Sequence, residues 1–140
     1  MKIAEVVVSM ALLSGTAFAQ GTATQPRVIL KGYDPVAYFT EHKPVKGAPD
    51  IRTDFDGARY LFASAENRKA FSADPDRYMP QFAGMCAVSI GMNKRYEADP
   101  TQWKIVDGKL YVFGSAKALE MVVKDPTLLE TSQRAWQAMK

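Results

Sequence analysis

The chain of 140 residues contains one cysteine, Cys86, and one histidine, His42. A single thiol forms no internal disulfide, and a single imidazole builds no multi-histidine zinc or iron site. The sequence also lacks the motifs of serine hydrolases, zinc proteases and phosphate-binding loops. These absences argue against an enzyme, and we predict no catalytic residue and no residue that binds an organic cofactor.

The sequence also has no large excess of charge of one sign and no long apolar run. The formal net charge is only +3, and basic and acidic residues are interspersed along the chain. No nucleic acid is therefore expected as a partner, and a protein partner remains unidentified. No stretch approaches the roughly 20 apolar residues of a membrane helix. The hydrophobic share of 47% and the charged share of 24% are typical of a globular domain, so wholesale disorder is excluded.

The first 19 residues have the pattern of a secretory signal peptide. A basic start at Lys2 is followed by an apolar run over residues 6–13 and by Ala17-Phe18-Ala19, which matches an A-x-A cleavage site. We predict cleavage before Gln20 and a periplasmic or secreted protein with no membrane attachment after cleavage. Residues 20–31 are predicted to be a leader segment, and residues 32–140 the domain.

Two segments, residues 49–78 and 100–129, repeat each other at an offset of 51 without gaps. They are identical at nine positions, whereas average composition predicts about two. Both contain Asp-Gly between β-prone flanks, which favours a type I′ hairpin, and both continue with a serine suited to cap a helix, Ser64 or Ser115. The pattern predicts an α+β fold. Two tandem β-hairpin–helix units would pack in one core, with an N-terminal strand and a C-terminal helix. Cys86 pairs with Gln137 at this offset, so we expect the thiol to lie outside the shared scaffold.

Several short motifs are characteristic of one domain family: Gly32–Phe39, Phe55–Gly57, Tyr60–Arg68, Phe71, Ala73–Pro75, Tyr78 and Gly84–Ala87. With these motifs the chain resembles a YHS domain, in particular the small exported proteins that carry one. The similarity implies membership of the wider TRASH-like superfamily, which is linked to heavy-metal handling. Those relatives have cysteines where this chain has Ala37, Ala63 and Asn67, so a metal site of that form is not expected.

Cys86 is the remaining candidate for a metal ligand, because Met85 is adjacent to it and Met92 follows shortly after. Thiolate and thioether are soft donors that suit Cu(I), so one hypothesis is copper or another soft metal at Cys86 with Met85 or Met92. A homodimer that shares the site is a variant of this hypothesis.

Two alternatives remain open. In the first, Cys86 is a buried, inert core thiol, and the protein is a structural, small-ligand-binding or partner-binding module with an aromatic-lined core. In the second, the protein is a thiol-dependent enzyme, which requires His42 or a carboxylate within hydrogen-bond reach of Cys86.

Overall fold

A computed structural model describes Gly15 and residues 24–140. Apart from Gly15, the predicted signal peptide over residues 1–19 lies outside the described residues, as does the start of the predicted leader. The described part is α+β, as the sequence predicts. None of its helices has the length and the apolar character needed to cross a membrane.

The elements form two similar series along the chain. The first series contains β1 (Arg27–Val28), a 3-10 turn (Ile29–Gly32), α1 (Ala37–Thr40), β2 (Ala48–Phe55), β3 (Ala58–Phe62), α2 (Ala65–Ala73) and α3 (Pro75–Tyr78). The second contains a 3-10 turn (Gln81–Gly84), α4 (Ala87–Gly91), β4 (Asp99–Val106), β5 (Lys109–Phe113), α5 (Ala116–Lys124) and α6 (Leu128–Ala138). A common origin of the two series stays a prediction.

The folded part begins earlier than the boundary expected at residue 32. β1 pairs with β3 in parallel, and Ile29 and Leu30 are buried in the core. The strand ends at Val28 because Leu30 and Lys31 have positive φ angles of 55° and 49°. The two apolar side chains explain the difference, since burying them is more favourable than leaving them in a solvated leader.

Both predicted hairpins are confirmed. Asp56 and Gly57 have φ angles of 51° and 76°, and Asp107 and Gly108 have 52° and 74°. Positive φ at both central residues is the signature of the type I′ turn, whose twist matches that of the flanking strands. The turns join β2 to β3 and β4 to β5 in antiparallel register.

Both predicted helix caps are confirmed as well. The Ser64 Oγ accepts the Asn67 N–H at 3.1 Å, and the Ser115 Oγ accepts the Ala118 N–H at 3.1 Å. Each bond satisfies one backbone donor of the first helical turn. α2 and α5 therefore begin immediately after these serines.

The apolar interior contains two clusters that share β5, whereas the sequence predicts one core. Leu110 and Val112 belong to the cluster built mainly from the first series. Tyr111 and Phe113 belong to the cluster that α4, α5 and α6 cover. Successive side chains of a strand point to opposite faces, so β5 contributes to both clusters and is buried from Leu110 to Phe113.

Candidate thiol site

Cys86 is held at the start of α4 by its own backbone. Its N–H donates to the Tyr96 carbonyl at 2.9 Å, and its carbonyl accepts the Ser89 hydroxyl at 2.8 Å. The residue also forms a parallel bridge to Val112 of β5. It is free of any disulfide and only 5% exposed, so its thiol is largely shielded from solvent.

A cavity of about 340 Å³, here called the Cys86 cavity, lies beside this residue. A Cβ atom added at Gly114 would lie 3.6 Å from the Cys86 Sγ, which places the sulfur next to the backbone of Gly114. The small side chain of Ala118 leaves further space on the α5 side. The cavity is lined by Cys86, Val88, Ser89, Met92, Tyr96, Glu97, Gly114, Ser115 and Ala118.

The structure brings one of the two predicted methionines to Cys86 and separates the other from it. Met92 lines the Cys86 cavity and is 58% exposed. Met85 does not line it, and its Sδ instead accepts a hydrogen bond from Arg27 at 3.7 Å. The same guanidinium pairs with Glu97 at 3.0 Å. Of the two methionines, only Met92 is positioned to act with Cys86 inside the cavity.

The other candidate groups do not assemble around the thiol. His42 lies in an exposed turn after α1 and is not among the residues that line the Cys86 cavity. Within residues 24–140 and Gly15, no group of three or more His, Cys, Asp or Glu side chains could hold a metal ion. Glu97 is the one carboxylate in the described lining, and its partner is Arg27. Sequence reasoning missed Glu97, Gly114 and Ala118, because nothing local marks them.

Asp34 occupies in the first series the place that Cys86 occupies in the second. Each follows a glycine with positive φ by two positions, Gly32 at 87° and Gly84 at 73°. The Asp34 N–H donates to the Val45 carbonyl at 2.8 Å, as the Cys86 N–H does to Tyr96. By this local backbone geometry Cys86 corresponds to Asp34, not to the expected Gln137, and a shared scaffold of the two series stays a prediction. A gap-free offset of 51 misses the equivalence because the turns that precede the two residues are 52 positions apart.

The side chain of Asp34 is fully buried and makes three hydrogen bonds. Its Oδ1 accepts the Val36 N–H at 2.8 Å, and its Oδ2 accepts the Ala63 N–H at 2.8 Å and the Asn67 Nδ2 at 2.7 Å. Two of the positions that the family resemblance connects with metal, Ala63 and Asn67, thus meet at one carboxylate.

The corresponding positions of the second series, 51 residues later, are Gly114 and Ala118. These two residues supply neither the side-chain volume nor the amide that Asn67 supplies in the first series. The Cys86 cavity is the space that remains, so the second series has an opening where the first has a closed hydrogen-bond cluster.

The fold and the cavity define a small α+β module in which hairpins and short helices surround one buried thiol. A family model described as YHS domain matches residues 36–82. The matched segment extends from α1 through the first hairpin and α2 to the second 3-10 turn and ends before Cys86. No curated protein and no solved structure matches the chain.

Proposed function

We propose that this protein is an exported, non-enzymatic YHS-type module that binds one soft metal ion, Cu(I), through Cys86, with Met92 as the second donor. The observation that carries the proposal is that Cys86 and Met92 line the same cavity, which the small residues Gly114 and Ala118 keep open. A membrane is not a partner in this proposal.

The donor set of the Cys86 cavity fits a soft ion better than a hard one. Thiolate and thioether sulfur select Cu(I), whereas a hard divalent cation needs several oxygen ligands. The one carboxylate among the described lining residues, Glu97, is already paired with Arg27. A second copy of the chain is the natural source of a further donor, so a homodimer that shares the ion is compatible with the proposal.

The family gives independent but coarser support, because YHS domains occur in copper-associated proteins. The matched segment ends at residue 82, so the choice of Cys86 depends on the geometry of the cavity and not on the match.

The first prediction is tested by a Cu(I) competition titration against a chromogenic chelator under anaerobic, reducing conditions. We expect the parent protein to withdraw about one Cu(I) per chain and the Cys86→Ser variant to withdraw none, because the thiolate is the strongest soft donor present. Met92→Leu is expected to weaken binding about tenfold, on the order of one lost donor contact.

Met85→Leu is the matched control, since it removes an equivalent thioether outside the cavity and should leave the titration unchanged. Unchanged copper binding in Cys86→Ser would refute the proposal. A larger loss in Met85→Leu than in Met92→Leu would refute the assignment of the second donor.

The second candidate function is a partner-binding or ligand-binding module with an inert thiol, which the burial of Cys86 favours. A chromogenic thiol reagent separates the two. Reaction in the native protein, blocked by one equivalent of Cu(I), agrees with the metal site. Reaction only after unfolding favours the inert thiol.

A further inference from the structure

A second cavity, here called the Tyr60 cavity, lies between the first hairpin, the second 3-10 turn and the end of α6. Its volume is about 410 Å³, larger than that of the Cys86 cavity. Its polar and aromatic lining includes Asp56, Tyr60, Asp76, Phe82, Trp136 and Lys140. None of these residues lines the Cys86 cavity, so the Tyr60 cavity is separate from the proposed metal site.

Tyr60 places an unpartnered hydroxyl in this cavity. The residue is 4% exposed, and its ring packs against Phe71 with a centroid distance of 4.6 Å. No side chain or backbone group of the described chain forms a hydrogen bond with its hydroxyl. Every fully enclosed side-chain oxygen or nitrogen of the described residues has a hydrogen-bond partner. Because the Tyr60 oxygen has none, it is not fully enclosed and reaches open space. The open space that Tyr60 lines is this cavity.

The equivalent tyrosine of the second series shows which kind of group fits such a hydroxyl. The Tyr111 hydroxyl accepts a hydrogen bond from the Gln133 Nε2 of α6 at 2.8 Å. The cavity next to Tyr111 is smaller, about 300 Å³, and Gln133 is part of its lining. An N–H donor completes the environment of Tyr111, whereas within residues 24–140 no side chain supplies one to Tyr60.

The charges around the Tyr60 cavity favour a cationic donor. Asp56 and Asp76 contribute two carboxylates, and Lys140 is the one basic side chain in the described lining. Burial, followed by the nearby Asp56 carboxylate, raises the pKa of Tyr60 to about 12 against the opposing charge of Arg27, so its hydroxyl is neutral at physiological pH and its oxygen can accept a hydrogen bond. An ammonium group satisfies both the hydroxyl oxygen and the carboxylates.

The apolar part of the cavity favours a ligand with a planar body. Phe82 and Trp136 stand at an interplanar angle of 66° with ring centroids 5.9 Å apart. Phe82 is only 4% exposed and Arg95 lies over the Trp136 ring at 5.3 Å, so a further ring would meet the part of this aromatic wall that remains open, in an offset or edge-on contact. The cavity therefore combines an aromatic wall with an acidic, hydrogen-bonding end.

We propose that the Tyr60 cavity binds a small aromatic primary amine. Its ammonium group donates to the Tyr60 oxygen between Asp56 and Asp76, and its ring lies against Phe82 and Trp136. The binding is reversible and involves no covalent step.

Phenethylamine is the probe for this second prediction, and binding is measured by isothermal titration calorimetry at low ionic strength. We expect saturable one-to-one binding of phenethylamine and at least tenfold weaker binding of 2-phenylethanol, which replaces the ammonium by a hydroxyl. Equal affinity for the two compounds, or no saturable binding of phenethylamine, would overturn the proposal.

Substitutions at Tyr60 and Asp56 assign the site, and substitutions at Tyr111 and Cys86 are the controls. Tyr60→Phe keeps the packed ring and should weaken phenethylamine binding about tenfold, in line with the loss of one hydrogen bond to a charged group. Tyr111→Phe is the matched control, because its hydroxyl already has Gln133 as partner, and it should leave binding unchanged. Asp56→Asn retains a residue that tolerates positive φ and should weaken binding at least fivefold. Unaltered binding in both Tyr60→Phe and Asp56→Asn would place the amine elsewhere, whereas Cys86→Ser is expected to have no effect.

Discussion

The carboxylate of Asp34 shows how one residue organises the first series. It is fully buried, yet no cation pairs with it among the described residues. Three hydrogen bonds offset the cost of removing the carboxylate from water, and they connect the start of α1, the end of β3 and the first turn of α2. Asp34 therefore connects three elements of the first series through its side chain. Cys86, at the equivalent place in the second series, makes no such side-chain hydrogen bonds.

The third prediction concerns Asp34→Asn. The substitution replaces one carboxylate oxygen, an acceptor, by an NH2 group that would face the N–H donors now bound to Asp34. We therefore expect the free energy of unfolding to fall by about 3 kcal/mol. Urea denaturation measures the change. Asp50→Asn, at an exposed position of β2, is the control and should change stability by less than about 0.5 kcal/mol. Equal effects of the two substitutions would contradict the role assigned to Asp34.

At the scale of the elements, the same short motifs produce the same geometry twice. Asp-Gly makes a type I′ turn in each hairpin, and a serine caps each following helix. β2 and β4 also share an irregularity of register, between Ala48 and Arg52 and between Asp99 and Trp103. These elements were predictable because their conformations depend on contacts within a few residues.

The fourth prediction tests this equivalence of the caps. Ser64→Ala and Ser115→Ala each leave a backbone N–H of the first helical turn without its acceptor and should cost about 1 kcal/mol in unfolding free energy. Ser72→Ala near the end of α2 is the control. Its hydroxyl donates to the Arg68 carbonyl, and alanine favours the helix, so stability should be unchanged or slightly higher. Thermal or urea denaturation of the three variants decides the point.

At the scale of the whole molecule, buried tyrosines join the two series. The Tyr38 hydroxyl, in the first series, donates to the Pro100 carbonyl of β4 at 2.7 Å, and its ring packs edge-on against Trp103 at 5.2 Å. Burial raises the pKa of Tyr38 as well as that of Tyr60, because a phenolate in the apolar interior would lose its hydration. Both tyrosines therefore stay protonated in the folded protein to higher pH than in the unfolded chain.

The fifth prediction follows from these raised pKa values. An unfolded tyrosine loses its proton near pH 10, whereas folded Tyr60 keeps it to about pH 12, so the contribution of Tyr60 is fully present below about pH 10 and is lost between about pH 10 and pH 12. The loss of unfolding free energy reaches about 2–3 kcal/mol at the upper end of this window. Urea denaturation at a series of pH values measures it.

Tyr60→Phe is expected to reduce the alkaline decline of stability and leave the part due to Tyr38, because phenylalanine has no proton to lose. Tyr96→Phe is the control, since Tyr96 is 56% exposed and its hydroxyl is solvated in both states. A parent curve with no decline above pH 10, or the same decline in Tyr60→Phe, would show that the buried hydroxyl does not control this part of the profile.

The candidate site was less predictable than the elements. Residue type and closeness in sequence suggest Cys86 with Met85 or Met92, and the structure places Cys86 and Met92 on one cavity. Met85, although adjacent in sequence, lies with Arg27 instead, because neighbouring residues in extended backbone point to opposite sides. Glu97, Gly114 and Ala118 belong to other elements, and only the packing of β5 and α5 brings them to the thiol.

The amino-acid sequence by itself determined the α+β class, the two hairpins, the helix caps and the YHS resemblance. Each of these follows from local backbone preferences or from short motifs. The tertiary structure decided that β5 is shared by two clusters, that Asp34 and Cys86 hold equivalent places, and that the Tyr60 hydroxyl lacks the partner that Tyr111 has. These features depend on which distant side chains meet, and that is set by how the elements pack, not by the residues adjacent in the chain.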